Sequence, residues 1–99
     1  MVSIGGEIDL STAPAFEAAI TQALEVNPTV LAIELSEVTF MASVGLRILA
    51  ATKEKVGKAA RIAVVANSPA ARRPIQLTGL DLIVALFPTL DAALTATDE

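Results

Sequence analysis

Thr29-Val30-Leu31-Ala32-Ile33-Glu34-Leu35, continued by Ser36-Glu37-Val38-Thr39-Phe40-Met41-Ala42-Ser43-Val44-Gly45-Leu46, is the stretch that decides the fold. Its first seven residues are mostly apolar and rich in β-branched side chains, which predicts a strand. Phe40-Met41-Ala42-Ser43 then leads into a helix. Val44, Ile48, Leu49, Thr52 and Val56 form its apolar face, while Arg47, Lys53, Glu54 and Lys55 are polar. Gly57 is placed to stop it.

The same alternation extends outward in both directions. Upstream, Val2, Ile4 and Ile8 have strand character. Ser11-Thr12-Ala13-Pro14 is a helix start, with a hydroxyl cap and proline in the first turn. Phe16, Ile20 and Leu24 recur every fourth residue beside Ala19 and Ala23, predicting a helix to about Val26 that Asn27-Pro28 breaks. Downstream, Arg61–Ala66 reads as a strand, and Ser68-Pro69 opens a helix that Thr78-Gly79 ends. Pro74 lies inside that helix and cannot donate to the carbonyl of Ala70, so the helix should be kinked or short. Leu82–Phe87 is a further expected strand, and a last helix runs from Pro88 to about Thr97. Strands alternating with helices predict a single α/β domain over residues 1–99, with a mostly parallel sheet and about four helices.

Composition removes several classes of function. The 99-residue chain is 54% hydrophobic but only 3% aromatic, so its core is aliphatic and disorder is excluded. It has no Cys and no His, which removes disulfides, thiolate chemistry, the common zinc sites and the usual general base near neutral pH. A net charge of −4 argues against direct binding to nucleic acid. No uncharged apolar run approaches the ~20 residues of a membrane-spanning helix, so no membrane insertion and a cytoplasmic location are expected. The start, Met-Val-Ser-Ile-Gly-Gly-Glu, has no features of a targeting segment. The charges fall in blocks. Residues 1–43 hold six acids and no base, residues 44–73 seven bases and one acid, and residues 74–99 four acids and no base.

Three stretches stand out as candidates for function: Gly6-Glu7-Ile8-Asp9-Leu10-Ser11-Thr12-Ala13-Pro14, the run Leu35–Leu46 quoted above, and Leu77-Thr78-Gly79-Leu80 with Phe87 seven residues on. In this order and spacing the chain resembles the STAS domain family, which includes the bacterial anti-sigma factor antagonists. The most specific part is LSEVTFMASVGL, set against a family pattern like L-S-x-V-x-F-M-D-S-S-G-L. The resemblance implies a small α/β domain that works by binding rather than by catalysis, without a cofactor. Its implied partner is an anti-sigma factor that is a serine kinase, with a serine phosphatase reversing the modification. The phosphoacceptor position of the family falls on Ser43, and the implied partner surface is Met41, Ala42, Ser43, Val44, Gly45, Leu46 and Arg47, flanked by Asp9, Ser11 and Thr12.

The residues themselves agree with this. A hydroxyl at Ser43 is placed as the N-cap of the following helix, and Gly45 gives close access to backbone. A phosphate there would meet free N–H groups and the positive end of the helix dipole, adding about −1.5 to −2 of charge without unfolding the domain. Two departures bear on the switch. Ala42 replaces the Asp before the phosphoserine, and Val44 replaces the second Ser or Thr. Both imply weaker recognition by the kinase or phosphatase, or a constitutive binder. Family domains also carry a further strand before the one ending in Gly6-Glu7-Ile8-Asp9. Either the sequence is cut short there, or the domain exposes an unpaired sheet edge, which implies a homodimer formed through it. The alternative role within the family is an accessory domain of a transporter, either a lipid ABC system or an anion transporter.

Other features are plainer. Glu7 and Asp9 are alternate residues at a strand end and could share a face as paired carboxylates, but no other catalytic group accompanies them. Arg72 and Arg73 are expected on a solvated helix face. Gly5-Gly6 lacks the context of a phosphate loop.

Overall fold

The computed structural model describes residues 2–97, with side chains to residue 93. The elements follow in the order β1 (Val2–Ile8), α1 (Ala13–Leu24), β2 (Val30–Met41), α2 (Ser43–Val56), β3 (Arg61–Val65), α3 (Pro69–Leu77), a short 3-10 turn (Leu80–Leu82), β4 (Ala85–Phe87) and α4 (Leu90–Thr97). The four strands form one sheet in the order β1-β2-β3-β4, and every pair is parallel. Each strand is therefore joined to its neighbour by a crossover through a helix.

One aliphatic core joins the sheet to three of the helices. Phe16 and Ile20 of α1, Ile48 and Leu49 of α2, and Ala71 and Ile75 of α3 pack against Leu31, Ile33 and Leu35 of β2 and Ile62 and Val64 of β3. The intervening residues of β3, Ala63 and Val65, point to the other face, where Ala93 of α4 buries them. Buried faces on both sides explain why β3 reads as a continuous apolar run.

β2 departs from the expected strand. It extends six residues past Leu35, and Phe40 and Met41 belong to it rather than to the approach to the helix. Two breaks in its register against β1 account for this. Ser3 and Gly5 pair with Glu34 and Glu37, and Gly6 and Glu7 pair with Val38 and Phe40, so β2 gains one residue at each step. Each extra residue reverses which side chains face inward. The buried positions are consequently Leu31, Ile33, Leu35, Val38 and Met41 rather than a strict alternation.

The remaining corrections are smaller. α1 ends at Leu24 rather than Val26, and Asn27 takes a left-handed φ of 49°, which Asn tolerates. β4 begins at Ala85 rather than Leu82. Gly79, at φ 78°, turns the chain out of α3. The N–H groups of Ile83 and Val84 then bond the carbonyl of Leu80, so the ladder starts only beyond them. α3 is short, at nine residues with Pro74 inside it. In a parallel sheet the carboxyl ends of all strands lie along one edge. Here that edge carries the β1–α1 turn, the β2–α2 junction and the β3–α3 junction.

Candidate functional site

The site is built where β1 and β2 end. Ile8 and Met41 are paired at the last position of the two strands, and the N–H of Ala42 donates to the Ile8 carbonyl at 2.8 Å. α2 starts at once, so its first turn lies against the strand ends. Gly45 is buried there for a steric reason. A Cβ on it would stand 2.8 Å from Cγ2 of Ile8 and 3.1 Å from Cγ of Met41. Glycine at this position lets the helix approach the sheet closely, and its role is packing rather than the backbone access expected from the sequence.

This approach sets the exposure of the neighbouring residues. Met41 and Gly45 face the core. Ala42, Val44 and Leu46 are half-buried, whereas Ser43 and Arg47 are exposed. Ser43 and Arg47 are four residues apart and so share one face of α2. The N-cap is Ala42, with φ −77° and ψ 165°, and Ser43 is the first helical residue. This corrects the expected capping role of Ser43: the close approach of α2 makes Ala42, bonded to Ile8, the turning point of the chain. No side chain caps this helix. The N–H groups of Ser43 and Val44 belong to the first turn and have no helical carbonyl to bond.

The β1–α1 turn flanks this junction. Asp9 organises it. Its Oδ1 accepts from the N–H of Ser11 at 2.9 Å, the Ser11 hydroxyl at 2.6 Å and the N–H of Thr12 at 3.2 Å. These donors, led by the Ser11 hydroxyl, hold the Asp9 carboxyl below its ordinary value of 3.8 against a weaker opposing desolvation. Thr12 stands at the N-cap of α1, yet its hydroxyl turns back to donate to the Glu7 carbonyl at 2.9 Å and to accept from the Asp9 N–H at 2.9 Å. The hydroxyl cap expected of Ser11-Thr12 is thus replaced by an Asp-centred turn, which leaves Ser11 exposed.

Two apolar side chains on the same edge were not singled out in the sequence. Leu10, in the turn, is 81% exposed, and Phe40, paired with Glu7, is 52% exposed. Their only sequence signal was an apolar residue inside a turn and one beside the serine motif. α3 joins this edge through Ser68, whose hydroxyl donates to the Val38 carbonyl at 3.3 Å. Arg72, half-buried, donates to the Ala66 carbonyl at 2.9 Å and so holds the start of α3 to the end of β3, a structural role. Arg73 is exposed as expected. Among the described residues, no group of three or more Asp or Glu is placed to hold a metal ion, and no helix is long and apolar enough to cross a membrane.

A small parallel α/β domain with an exposed hydroxyl at a helix start, and exposed apolar side chains around it, defines a module that presents a surface. The chain belongs to the STAS domain family, whose model matches residues 1–93. It is 56% identical over 95 residues to the Anti-sigma-F factor antagonist RsfB of two Mycobacterium tuberculosis strains, covering 96% of this chain and 78% of the relative. A crystal structure of an anti-sigma factor antagonist from Mycobacterium paratuberculosis superimposes with a TM-score of 0.93 at 57% identity, over 98% of this chain and 83% of that one. The expected family and fold class are both borne out.

Two outcomes test this geometry. Gly45→Ala should destabilise the domain by about 1–3 kcal/mol in urea unfolding, because the stiff Ile8 methyl outweighs alanine's better helix propensity. In a carboxyl NMR titration, Asp9 should titrate below 3.8, and Ser11→Ala should move it upward. The stabilisation this turn gains from the ionised carboxylate is complete above 3.8 and is lost as pH falls through the lowered folded value.

Proposed function

We propose that this domain is an anti-sigma factor antagonist of the bacterial cytoplasm: a binding module, not an enzyme, whose partner is an anti-sigma factor with serine kinase activity. Ser43 is its switch. The observation that carries the reading is the place of Ser43. It is the exposed first residue of α2 in a chain 56% identical to a protein named as an antagonist of this kind. In the unmodified state the Ser43 hydroxyl, Arg47 and the Asp9–Thr12 turn meet the partner, with Val44 and Leu46 at the margin. Met41, Ala42 and Gly45 contribute by fixing the backbone. Phosphorylation of Ser43 turns binding off, and a serine phosphatase restores it.

Electrostatics supports a switch that leaves the fold intact. A phosphoserine carries about −1.5 to −2 charges at pH 7. At the first residue of α2 this charge meets the positive end of the helix dipole and the open N–H groups of the first turn. Arg47 lies one turn away on the same face. A partner packed over the same point would have to desolvate a dianion, which is costly without a matching cation. Ala42 also acquires a meaning here. An Asp at that N-cap would occupy the first-turn N–H groups and repel a phosphate next to it. Alanine leaves both groups free, so the modified state is stabilised even where kinase recognition is weakened.

The names of the relatives favour this reading over a transporter accessory domain. The homodimer expected through β1 has weaker support. That strand has an exposed Glu7 and glycines at its centre, both of which discourage strand addition. The direct test is to incubate the protein with purified M. tuberculosis anti-sigma-F factor and ATP, then map phosphate by mass spectrometry. Modification at Ser43 is the expected result. Modification at other residues with Ser43 untouched would sink the site assignment.

A further inference from the structure

A groove of about 410 Å³ runs between α1 and α2, away from the serine site but continuous with it. Its walls are mostly apolar: Ile20 and Leu24 come from α1, and Val44, Ile48 and Ala51 from α2, with Thr21 and Thr52 among them. Val44 and Arg47 belong both to this groove and to the surface around Ser43. The rims carry opposite charges. Glu17 stands on the α1 rim, and Arg47 and Lys55 stand on the α2 rim. All three are exposed.

The dimensions suit one kind of occupant. From Val44 to Lys55 the groove follows eleven residue steps of α2, about 17 Å at the rise of a helix, or three turns. Arg47, Ala51 and Lys55 form one ridge at intervals of four residues. Its small middle residue leaves a gap, and a cation stands at each end. A facing helix set along such a gap brings apolar side chains at i, i+4 and i+7 into the groove. Its carboxylates about two turns apart then meet Arg47 and Lys55, while a basic residue on its other side meets Glu17.

We propose that this groove is a second contact site for the anti-sigma factor, receiving an amphipathic helix of about three turns whose α2-facing edge is acidic. The proposal rests on the antagonist reading above and adds the element of the partner that is recognised. The charge blocks of the chain follow from it. The base-rich segment supplies the α2 rim, and the segment without bases supplies the α1 rim. The groove does not include the Ser43 hydroxyl, but Val44 and Arg47 join the two surfaces, so phosphorylation at one end would loosen a footprint that extends along the helix pair.

The test uses the whole protein and purified M. tuberculosis anti-sigma-F factor in titration calorimetry. The variants are Lys55→Glu, Ala51→Arg and Ser43→Glu, each checked for an unchanged circular dichroism melt. Lys55→Glu reverses a rim charge, and Ala51→Arg fills the gap. Each should weaken binding by about tenfold or more, and the loss for Lys55→Glu should shrink as salt is raised. Should Ala51→Arg melt early, Thr21→Arg on the exposed opposite wall replaces it. Carbodiimide coupling should join Lys55 to an Asp or Glu in a helical segment of the factor. If Ser43→Glu weakens binding while both groove variants bind as the wild type does, the groove proposal is overturned and the antagonist reading stands. Loss with Ala51→Arg but none with Lys55→Glu overturns the acidic helix as the occupant. If the unmodified wild type does not bind at all, both readings fall.

Discussion

Everything proposed for this domain depends on the contact of Gly45 with Ile8 and Met41. Without a side chain at Gly45, the first turn of α2 rests directly on the ends of β1 and β2. The bond from the Ala42 N–H to the Ile8 carbonyl completes the junction. This places the chain reversal at Ala42 and turns the next residue, Ser43, outward. A hydroxyl held in this way is exposed yet fixed, because its backbone is tied to buried residues on both sides. The same seating sets α2 beside α1 and so shapes the groove between them.

A switch of this kind works because the fold and the partner respond oppositely to one charge. The domain offers a dianion a helix terminus with free N–H groups and a nearby Arg47, whereas a docked protein surface would have to strip its water. In the proposed switch, modification therefore acts on the interface more than on stability. The replacement of the usual acidic N-cap by Ala42 sharpens that contrast on the domain's side. An aliphatic chain without His or Cys is consistent with the proposed role, in which the working group is a hydroxyl and another protein supplies the chemistry.

Much of this was legible in the sequence, and the parts that were not share a physical cause. Phe16 and Ile20 at helical spacing, Ser68-Pro69 and Thr78-Gly79 as punctuation, and the apolar run of β3 all report local preferences, and the structure keeps them. The run LSEVTFMASVGL carried the resemblance to the family, which the comparisons bear out. β2 was expected to stop at Leu35 because two extra residues disrupt its alternation, and a register break is a property of two strands rather than one. The N-cap was assigned to Ser43 because hydroxyls favour that position, but the contact beneath Gly45 moved it to Ala42. At Thr12 the hydroxyl turned back onto the Glu7 carbonyl and the Asp9 N–H instead of capping α1. Leu82 and Val84 looked like strand residues, but local turns claimed the backbone first. The walls of the α1–α2 groove come from two helices, so along the chain only the charge of its rims shows, not the groove itself.

The central claim is that one charge at Ser43 decides binding while the fold stays the same. The most direct measurement prepares the protein with Ser43 fully phosphorylated and compares it with the unmodified form, using the amide NMR spectrum and affinity for the anti-sigma-F factor. The account predicts a spectrum changed only around the start of α2 and the β1–α1 turn, with affinity reduced at least about a hundredfold, on the scale of a buried unpaired charge. Equal affinity of the two forms, or a spectrum showing that the phosphorylated domain has unfolded, would contradict it.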